Sequence, residues 1–306
     1  MLRFILRRLL VAIPTIFVVI TVAFFMMRAA PGSPYSIQRK LPPEIEENLK
    51  KKYHFDEPLI VQYGRYLSQV AVGDFGPSMK YEGREVVDII KQAVPTSAKI
   101  GLTALFLSLI IGIGLGIIAA LRQNRFADYF ASTIAVIGVC VPTFVTGPLL
   151  VLIFATNLGW LPTAGIGAGL KSFVLPVIVL TLPAIAGIAR LTRASMIEVL
   201  NSNFIRTARA KGLSGSTVVF RHALKPALVP LMGYLGPATA GVITGSLIVD
   251  KLFRLPGLGK IFFTAGIQRD YTLVMAIVIL SAVLILVFNL LADIAQALMD
   301  PRVRLT

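Results

Sequence analysis

The sequence has little charge and few of the residues that carry catalytic or metal chemistry. Of its 306 residues, 15% are charged, two are histidine and one is cysteine. The single cysteine, Cys140, excludes an internal disulfide, and no set of histidine or cysteine has the spacing of a metal site. These scarcities argue against a disulfide-stapled secreted domain and a metalloprotein.

Two common functional motifs are also missing from the sequence. No Gly-x-Ser-x-Gly elbow occurs, so hydrolase chemistry has no visible carrier. Gly257-Leu-Gly-Lys260 lacks both the upstream glycine and the following hydroxyl of a P-loop, because Ile261 stands after the lysine. We therefore expect no catalytic residue, and no cofactor or metal, in this chain itself.

Apolar residues are abundant. They make up 56% of the chain, and the mean hydropathy is +0.80. Soluble enzymes and disordered tails rarely reach these values, so the composition indicates an integral membrane protein. The formal net charge of +15 then has two interpretations, a nucleic-acid surface or charge in cytoplasmic loops, and the positions of the charges separate them.

The long apolar segments predict an all-α integral membrane protein with six transmembrane helices. Roughly 20 apolar residues cross the hydrocarbon core of a bilayer. Six segments reach or approach that length: Leu9–Met27, Ile100–Leu121, about 132–156, Ser172–Ala189, Pro226–Val249 and Tyr271–Ala292. Pro142 and Pro148 fall inside the third segment, where we expect them to kink the helix.

The distribution of lysine and arginine predicts the orientation. The short loops on one side hold fourteen basic residues and those on the other side hold five. By the positive-inside rule both termini are cytoplasmic, and the surplus charge belongs to cytoplasmic loops and not to a nucleic-acid surface. The long segment 31–96 is left out of the count, and its nine basic residues are balanced by nine acidic ones.

These patterns divide the chain into three parts. Residues 1–30 are predicted to form a signal-anchor helix, because the apolar run of nineteen exceeds the roughly 7–15 residues of a cleaved signal. Residues 31–96 are predicted to form an external segment with short helices at Glu44–Lys52 and Val61–Val70. Residues 97–306 are predicted to form a five-helix core with a cytoplasmic loop at 190–225.

Two features in or next to the predicted spans leave alternatives open. Gly112 and Gly116 have the small-xxx-small spacing of close helix packing, within the chain or at a subunit interface. Asp293 is an acid near a span interior, and such residues are functional candidates. Because Asp293 lies within two turns of the cytoplasmic end, a role at the helix end or in an ion pair is favoured.

The loop at 190–225 predicts a second, short helix. Apolar residues at helical spacing, from Leu191 to Leu200, continue the fourth span into the cytoplasm. Ser202 or Asn203 is suited to cap a new helix that begins near Phe204, and Gly212 is suited to end it. In this prediction Arg206, Arg209 and Lys211 are exposed. Phe204, Ile205 and Ala208 are available for packing.

This short helix resembles the coupling loop of binding-protein-dependent ABC importer permeases. The resemblance lies in Phe204-Ile-Arg-Thr-Ala-Arg-Ala-Lys-Gly212, followed by Arg221-His-Ala-Leu-Lys-Pro226 and Pro230. The general pattern of the family is Glu-Ala-Ala, three residues, Gly and a downstream Ile-x-Leu-Pro. Ala208 and Gly212 match it, whereas Arg206 and Thr207 replace the Glu-Ala and Pro226 comes one position later. The segment Arg206-Thr-Ala-Arg-Ala-Lys-Gly212 resembles the corresponding sequence in the oligopeptide and dipeptide branch of the family.

Further segments extend the resemblance over nearly the whole chain. It is closest to the first, or B-type, permease subunit of oligopeptide importers. The additional matching segments are Asp56-Glu-Pro-Leu-Ile-Val-Gln-Tyr63, Gly73-Asp-Phe-Gly-Pro-Ser78, Ile188-Ala-Arg-Leu-Thr-Arg-Ala-Ser-Met-Ile-Glu198 and Leu255-Pro-Gly-Leu-Gly259.

The resemblance implies a type I ABC importer permease fold in the bacterial cytoplasmic (inner) membrane. The chain would form half of a peptide pathway beside a second homologous permease, with membrane lipid around it. Two cytoplasmic ATPase subunits would bind ATP and Mg, and an external peptide-binding protein would deliver substrate; no nucleic acid is implied. The residues implied to couple to an ATPase are Phe204, Ile205, Arg206, Thr207, Ala208, Arg209, Ala210, Lys211 and Gly212.

The resemblance also implies an external loop or gate at Leu255, Pro256, Gly257 and Gly259, for which a plain tight turn before the sixth span is the alternative. The solute stays open, because a permease for dipeptides, nickel chelates or another small solute shares this fold. A stand-alone secondary transporter would need intramembrane charges or an internal repeat of spans. A membrane enzyme would need a catalytic constellation. The sequence shows none of these features. It does not indicate which residues line the pathway.

Overall fold

The computed structural model describes residues 2–29 and 56–299 of the chain. These residues form helices joined by turns and by two longer loops at 72–85 and 158–170, with one isolated antiparallel bridge between Pro77 and Glu85. The α-helices are α1 (Leu2–Ala29), α2 (Leu59–Ala71), α3 (Val86–Leu121), α4 (Phe126–Cys140), α5 (Thr143–Leu150), α6 (Lys171–Leu200), α7 (Asn203–Ala210), α8 (Gly215–Thr217), α9 (Leu224–Ala227), α10 (Val229–Ile243), α11 (Leu247–Leu252), α12 (Leu258–Gln268) and α13 (Tyr271–Met299). π-Helical turns at Val151–Asn157 and Val218–Ala223 extend α5 and join α8 to α9.

The helices confirm the all-α class and the apolar spans. Within the described ranges, five stretches are long and apolar enough to cross a membrane: Ile5–Ala29, Val86–Leu121, Lys171–Leu200, Val229–Leu252 and Tyr271–Met299. A sixth arises when Phe126–Cys140 and Thr143–Asn157 are taken together. The count of six therefore holds if this bent pair is one span.

The predicted third span is a sharply broken helix. Its two halves meet at an angle of 99°. The break falls at Pro142, and Val141 before it is extended with φ −88° and ψ 113°, as the residue before a proline prefers. The second half contains Pro148 and continues into π-helical turns from Val151. The predicted kink is thus confirmed at Pro142, and it is much larger than the bend of an ordinary proline-containing helix.

Two other spans differ from their predicted bounds. The helix predicted from Ile100 begins at Val86, so the polar residues before the apolar run belong to the same helix. The span predicted as Pro226–Val249 is divided into α10 and α11, because the chain turns at Gly245, which has φ +83°. The fourth span behaves as predicted, since α6 passes Pro176 and Pro183 and continues without interruption to Leu200.

Glycines bring the long helices α3 and α6 into close contact. A Cβ atom added at Gly112 would lie 2.8 Å from Cγ2 of Ile188, and one at Gly116 would lie 2.6 Å from Cβ of Thr192. Both distances are shorter than real side chains allow. The small-xxx-small pair therefore serves packing within the chain, which decides between the two alternatives left open by the sequence.

The first helix lies against the last one. Nε of Arg8 is 3.1 Å from Oδ2 of Asp293, which makes Asp293 the ion-pair partner that its position near the helix end favours. Toward the other end of α1, Phe24 is buried against Tyr63 and Tyr66 of α2. Helix α2 confirms the helix predicted at Val61–Val70, whereas the one predicted at Glu44–Lys52 lies outside the described residues.

Candidate functional site

Helix α7 is the short helix predicted in the loop at 190–225. It begins at Asn203 and its N-terminal cap is Ser202, whose backbone is extended with φ −70° and ψ 156°. The Ser202 hydroxyl does not cap the helix; it donates instead to the carbonyl of Val199 at 2.6 Å, on the last turn of α6. Ser202 thus has the predicted position, but its hydrogen bond ties the helix start back to α6.

The end of α7 confirms the prediction for Gly212. Gly212 has φ +76°, a backbone conformation that is energetically unfavourable for a residue with a side chain. Its N–H donates to the carbonyl of Arg209 at 3.0 Å, and the N–H of Leu213 donates to the carbonyl of Ala208 at 3.4 Å. These two bonds form a Schellman motif, which satisfies the last carbonyls and turns the chain away.

One face of α7 is buried in the protein. Ile205 is fully buried and Ala208 is 7% exposed. They pack in a cluster with Met196 at the end of α6 and with residues of the following helical segments; the other members of this cluster are Ala120, Val218, Val219, Ala223 and Ala227. Ala208 therefore has a structural contact inside the chain.

The opposite face of α7 is open. Phe204 is 50% exposed and is available for contacts outside the chain, whereas Ile205 and Ala208 pack inside it. On an eight-residue helix these two inward positions already fill the buried side, so Phe204 points away from it. Phe204 borders an open cavity of about 450 Å³ that Glu198 and Lys225 also line. The remaining exposed residues of the helix and its cap are Asn203, Arg206, Thr207, Arg209, Ala210 and Lys211.

A pair of charged residues, missed by the sequence analysis, holds α4 to α6. Arg193 donates from Nε to Oδ1 of Asp128 at 2.6 Å and from its terminal nitrogen to Oδ2 at 2.7 Å. The backbone N–H of Asn124 also donates to Asp128 at 2.9 Å, and the Asp128 carboxylate is almost fully buried. The pair fixes the turn between α3 and α4 against α6, ten residues before α7 begins.

The candidate outer loop at Leu255–Gly259 is firmly packed. Asp250 is buried, and its Oδ2 accepts the N–H of Gly259 at 3.0 Å. A Cβ added at Gly257 would lie 2.3 Å from the same oxygen. Leu258 donates its N–H to the hydroxyl of Ser97 on α3 at 2.9 Å. Leu255, Gly257 and Gly259 are buried and Pro256 is exposed.

The loop leads into α12, which the sequence analysis did not predict, and not straight into the last span. Beyond α12, a second buried acid, Asp270, directly precedes α13. The Ser78 hydroxyl and the N–H of Met79 donate to the carboxylate of Asp270, as does the Thr272 hydroxyl at 2.9 Å. Asp270 therefore joins the segment Gly73–Ser78 to the last helix, and the sequence analysis missed it.

Two family models together match nearly the whole chain. Residues 112–305 match the family "Binding-protein-dependent transport system inner membrane component", and residues 1–100 match the corresponding N-terminal family. The chain therefore belongs to this family of multi-pass inner-membrane proteins. The predicted family and the type I ABC importer permease fold are confirmed.

Individual relatives cover the full length of the chain. The "Oligopeptide transport system permease protein OppB" of Escherichia coli (strain K12) is 52% identical over 305 residues, 99% of this chain and 100% of that protein. OppB of Haemophilus influenzae is 50% identical over the same shares. The "Dipeptide transport system permease protein DppB" of Bacillus subtilis (strain 168) is 41% identical, over 100% of this chain and 99% of that protein.

Solved structures show the same fold at lower identity. A chain of the MetNI methionine ABC transporter in an inward-facing conformation has a TM-score of 0.58 and 18% identity, covering 70% of this chain and 97% of that chain. A chain of an amino acid ABC transporter with histidines has a TM-score of 0.51 and 16% identity, covering 71% and 94%. The likeness shows a shared helical architecture.

Proposed function

We propose that this chain is a transmembrane permease subunit of an ATP-driven oligopeptide importer and that it provides half of the translocation pathway. The full-length relationship to oligopeptide permeases, at 52% identity, supports the solute class. The observation that carries the coupling role is the geometry of α7. It is a short helix that ends in a Schellman turn at Gly212 and is fixed to the core by Ile205 and Ala208. Its exposed side presents Phe204 and the cations Arg206, Arg209 and Lys211.

The coupling step follows from how α7 is attached. We place its exposed face in a cleft of a cytoplasmic ATPase subunit, where Phe204 supplies the apolar contact. Two residues separate α7 from α6, and the cluster around Ile205 also contains Ala120 of α3. A displacement of α7 therefore moves the ends of two spans together. ATP and Mg bound by the ATPase pair would favour one of two arrangements of the spans, as a transport cycle requires.

The remaining parts of the proposed assembly follow from the family. A second homologous permease completes the pathway, two ATPases carry out hydrolysis, and an external peptide-binding protein delivers the peptide. In this proposal the chain performs no catalysis and holds no cofactor. Both of its termini are cytoplasmic, which places α7 on the ATPase side and the loop at Leu255–Gly259 on the external side.

We further propose that the external loop is a gate element. Its buried residues are pinned by Asp250 and Ser97, whereas Pro256 is exposed and accessible from outside. A loop tied to both α3 and α11 transmits contact at Pro256 to two spans. The 41% identical dipeptide permease supports one alternative solute, a dipeptide, carried by the same machinery.

Co-purification tests the coupling role with two matched variants. The test variant, Phe204→Asp, places a charge on the exposed face of α7. The control, Phe220→Asp, replaces an aromatic side chain that is 66% exposed elsewhere in the same loop. The tagged chain is expressed with its partner subunits and isolated in mild detergent. We expect Phe204→Asp to lose the ATPases and peptide uptake, and Phe220→Asp to keep both.

Two results would contradict the proposal. Retention of the ATPases and full uptake by Phe204→Asp, at normal expression, would remove α7 from the coupling contact. A chain that purifies without ATPases and moves solute into liposomes without ATP would instead be a secondary carrier.

A further inference from the structure

Three arginines converge on a cavity beside the coupling helix. The cavity has a volume of about 350 Å³ and lies where the end of α3, the turn after it, the end of α6 and α7 meet. Arg122, Arg125 and Arg209 line it, and its described lining includes no acidic residue. All three side chains belong to exposed residues, and none forms an ion pair within residues 2–29 and 56–299.

The nearest acid in the sequence is already engaged. Asp128 accepts both hydrogen bonds of Arg193 and a third from the N–H of Asn124. The same contacts hold the turn that carries Arg122 and Arg125, and Asn124 takes the left-handed conformation with φ +59° to make that turn. Arg122 and Arg125 are thus held on a fixed turn, and no acidic residue in the described part of the chain neutralises them, an arrangement that favours binding of an anion.

The surroundings of the cavity indicate the level of the membrane surface. Leu121 is the last residue of the apolar helix α3 and is 49% exposed. Three aromatic residues on the first two turns of α4, Phe126, Tyr129 and Phe130, are also largely exposed. The rings of Phe126 and Phe130 stack with centroids 6.0 Å apart. A tyrosine at the end of a span is typical of the boundary between acyl chains and headgroups, and the phenyl rings beside it offer an apolar surface to acyl chains.

We propose that this cavity binds the phosphate-bearing headgroup of an anionic phospholipid, whose acyl chains lie along Phe126 and Phe130. A guanidinium group can donate two parallel hydrogen bonds to the oxygens of one phosphate. Basic pockets between transmembrane helices are suited to such headgroups. The aromatic surface favours a lipid over an acidic segment of a soluble protein. Acyl chains would cover the aromatic rings, whereas a soluble partner would leave the rings uncovered. Since Arg209 belongs to α7, the bound lipid would contact the coupling helix from the membrane side.

The lipid retained by the purified complex tests this site. The complex is isolated in detergent, and phosphatidylglycerol per complex is measured by mass spectrometry. The test variant is Arg122→Gln/Arg125→Gln. The control is Arg221→Gln/Lys225→Gln, which removes two exposed cations from the same proposed cytoplasmic face but outside the cavity. We expect the test variant to bind phosphatidylglycerol about 25-fold more weakly, and the control to match the unsubstituted chain.

A second measurement separates a lipid from a free anion. The delipidated complex is heated with short-chain phosphatidylglycerol, with phosphatidylcholine of the same chain length, or with inorganic phosphate. We expect only phosphatidylglycerol to raise the unfolding temperature, and only when Arg122 and Arg125 are present. An equal rise with inorganic phosphate, or equal loss of lipid from both double variants, would overturn the proposal. Loss of the ATPases from the test variant with lipid retained would assign the arginines to the ATPase contact instead.

Discussion

Arg193 and Asp128 face each other across α6 and α4 as a paired guanidinium and carboxylate, with two hydrogen bonds of 2.6 and 2.7 Å. The residues are 65 positions apart in the sequence. Their contact lies at the first turn of α4, which is the first half of the broken third span, and ten residues before α7 begins. It therefore connects the bent span with the long helix that leads into the coupling helix.

Breaking this pair destabilises the protein. Arg193→Gln leaves the buried Asp128 carboxylate without its two charged donors, which costs about 2 kcal/mol. We expect a lower unfolding temperature of the purified complex, measured by thermal-shift fluorescence. Exchange of the two charges, Asp128→Arg with Arg193→Asp, should recover part of the loss. An unchanged unfolding temperature for Arg193→Gln would show that the pair contributes nothing to stability.

The contact between α3 and α6 tolerates no side chain at Gly116. A Cβ there would lie 2.6 Å from Thr192 and 2.7 Å from the carbonyl of Ala189, so Gly116→Ala should cost about 1–3 kcal/mol. Gly114 lies in the same helix with no atom within 4 Å of the added Cβ. Gly114→Ala is the control and should be neutral or slightly stabilising. Thermal unfolding and the amount of each variant in the membrane measure the difference between Gly116→Ala and Gly114→Ala. Equal stability of the two variants would show that α3 and α6 can move apart at little energetic cost.

The Schellman turn after α7 requires glycine. Gly212→Ala forces a side chain into φ +76° and costs roughly 1 kcal/mol, whereas Gly212→Asn should cost less. Gly215→Ala, three residues later with open space around it, is the control. We expect Gly212→Ala to lower the amount of ATPase that co-purifies and Gly215→Ala to leave it unchanged. Identical recovery would indicate that the end of α7 lies outside the contact.

The outer loop depends on the contact between Asp250 and Gly257. Gly257→Ala would place a methyl group 2.3 Å from the carboxylate and displace the loop. We expect lower peptide uptake at normal ATPase binding, because the change lies far from α7. Gly266→Ala in α12 has no atom within 4 Å of its added Cβ and should transport normally. Normal uptake by Gly257→Ala would argue against a gate at this loop.

The sequence predicts those features that depend on local patterns. The apolar spans follow from composition, the continuation of α6 to Leu200 follows from periodicity, and the end of α7 follows from the conformational freedom of Gly212. Motif order predicts the family. The first three signals lie within neighbouring residues and the fourth is the order of motifs along the chain, so no tertiary contact is needed to recognise any of them.

The features that the sequence analysis missed depend on contacts that only the folded chain makes. Asp250 and Asp270 are ordinary acids until the fold brings the backbone of Gly259 to one and Ser78 to the other, the latter from 192 positions away. The outward direction of Phe204 depends on how α7 docks, since an eight-residue helix with three apolar positions has more than one possible buried face. The angle of 99° at Pro142 likewise depends on neighbouring helices, because a proline alone permits many bends.

The buried side of α7 has a consequence for the order of assembly. Ile205 and Ala208 are covered by residues that come from α3, from the end of α6 and from the segment after α7. An isolated chain of eight residues would not hold a helix in water. The docking surface therefore comes into existence only after the membrane core around it has folded. An ATPase that recognises this surface discriminates finished permeases from unfinished ones, so that assembly itself acts as a quality check on folding.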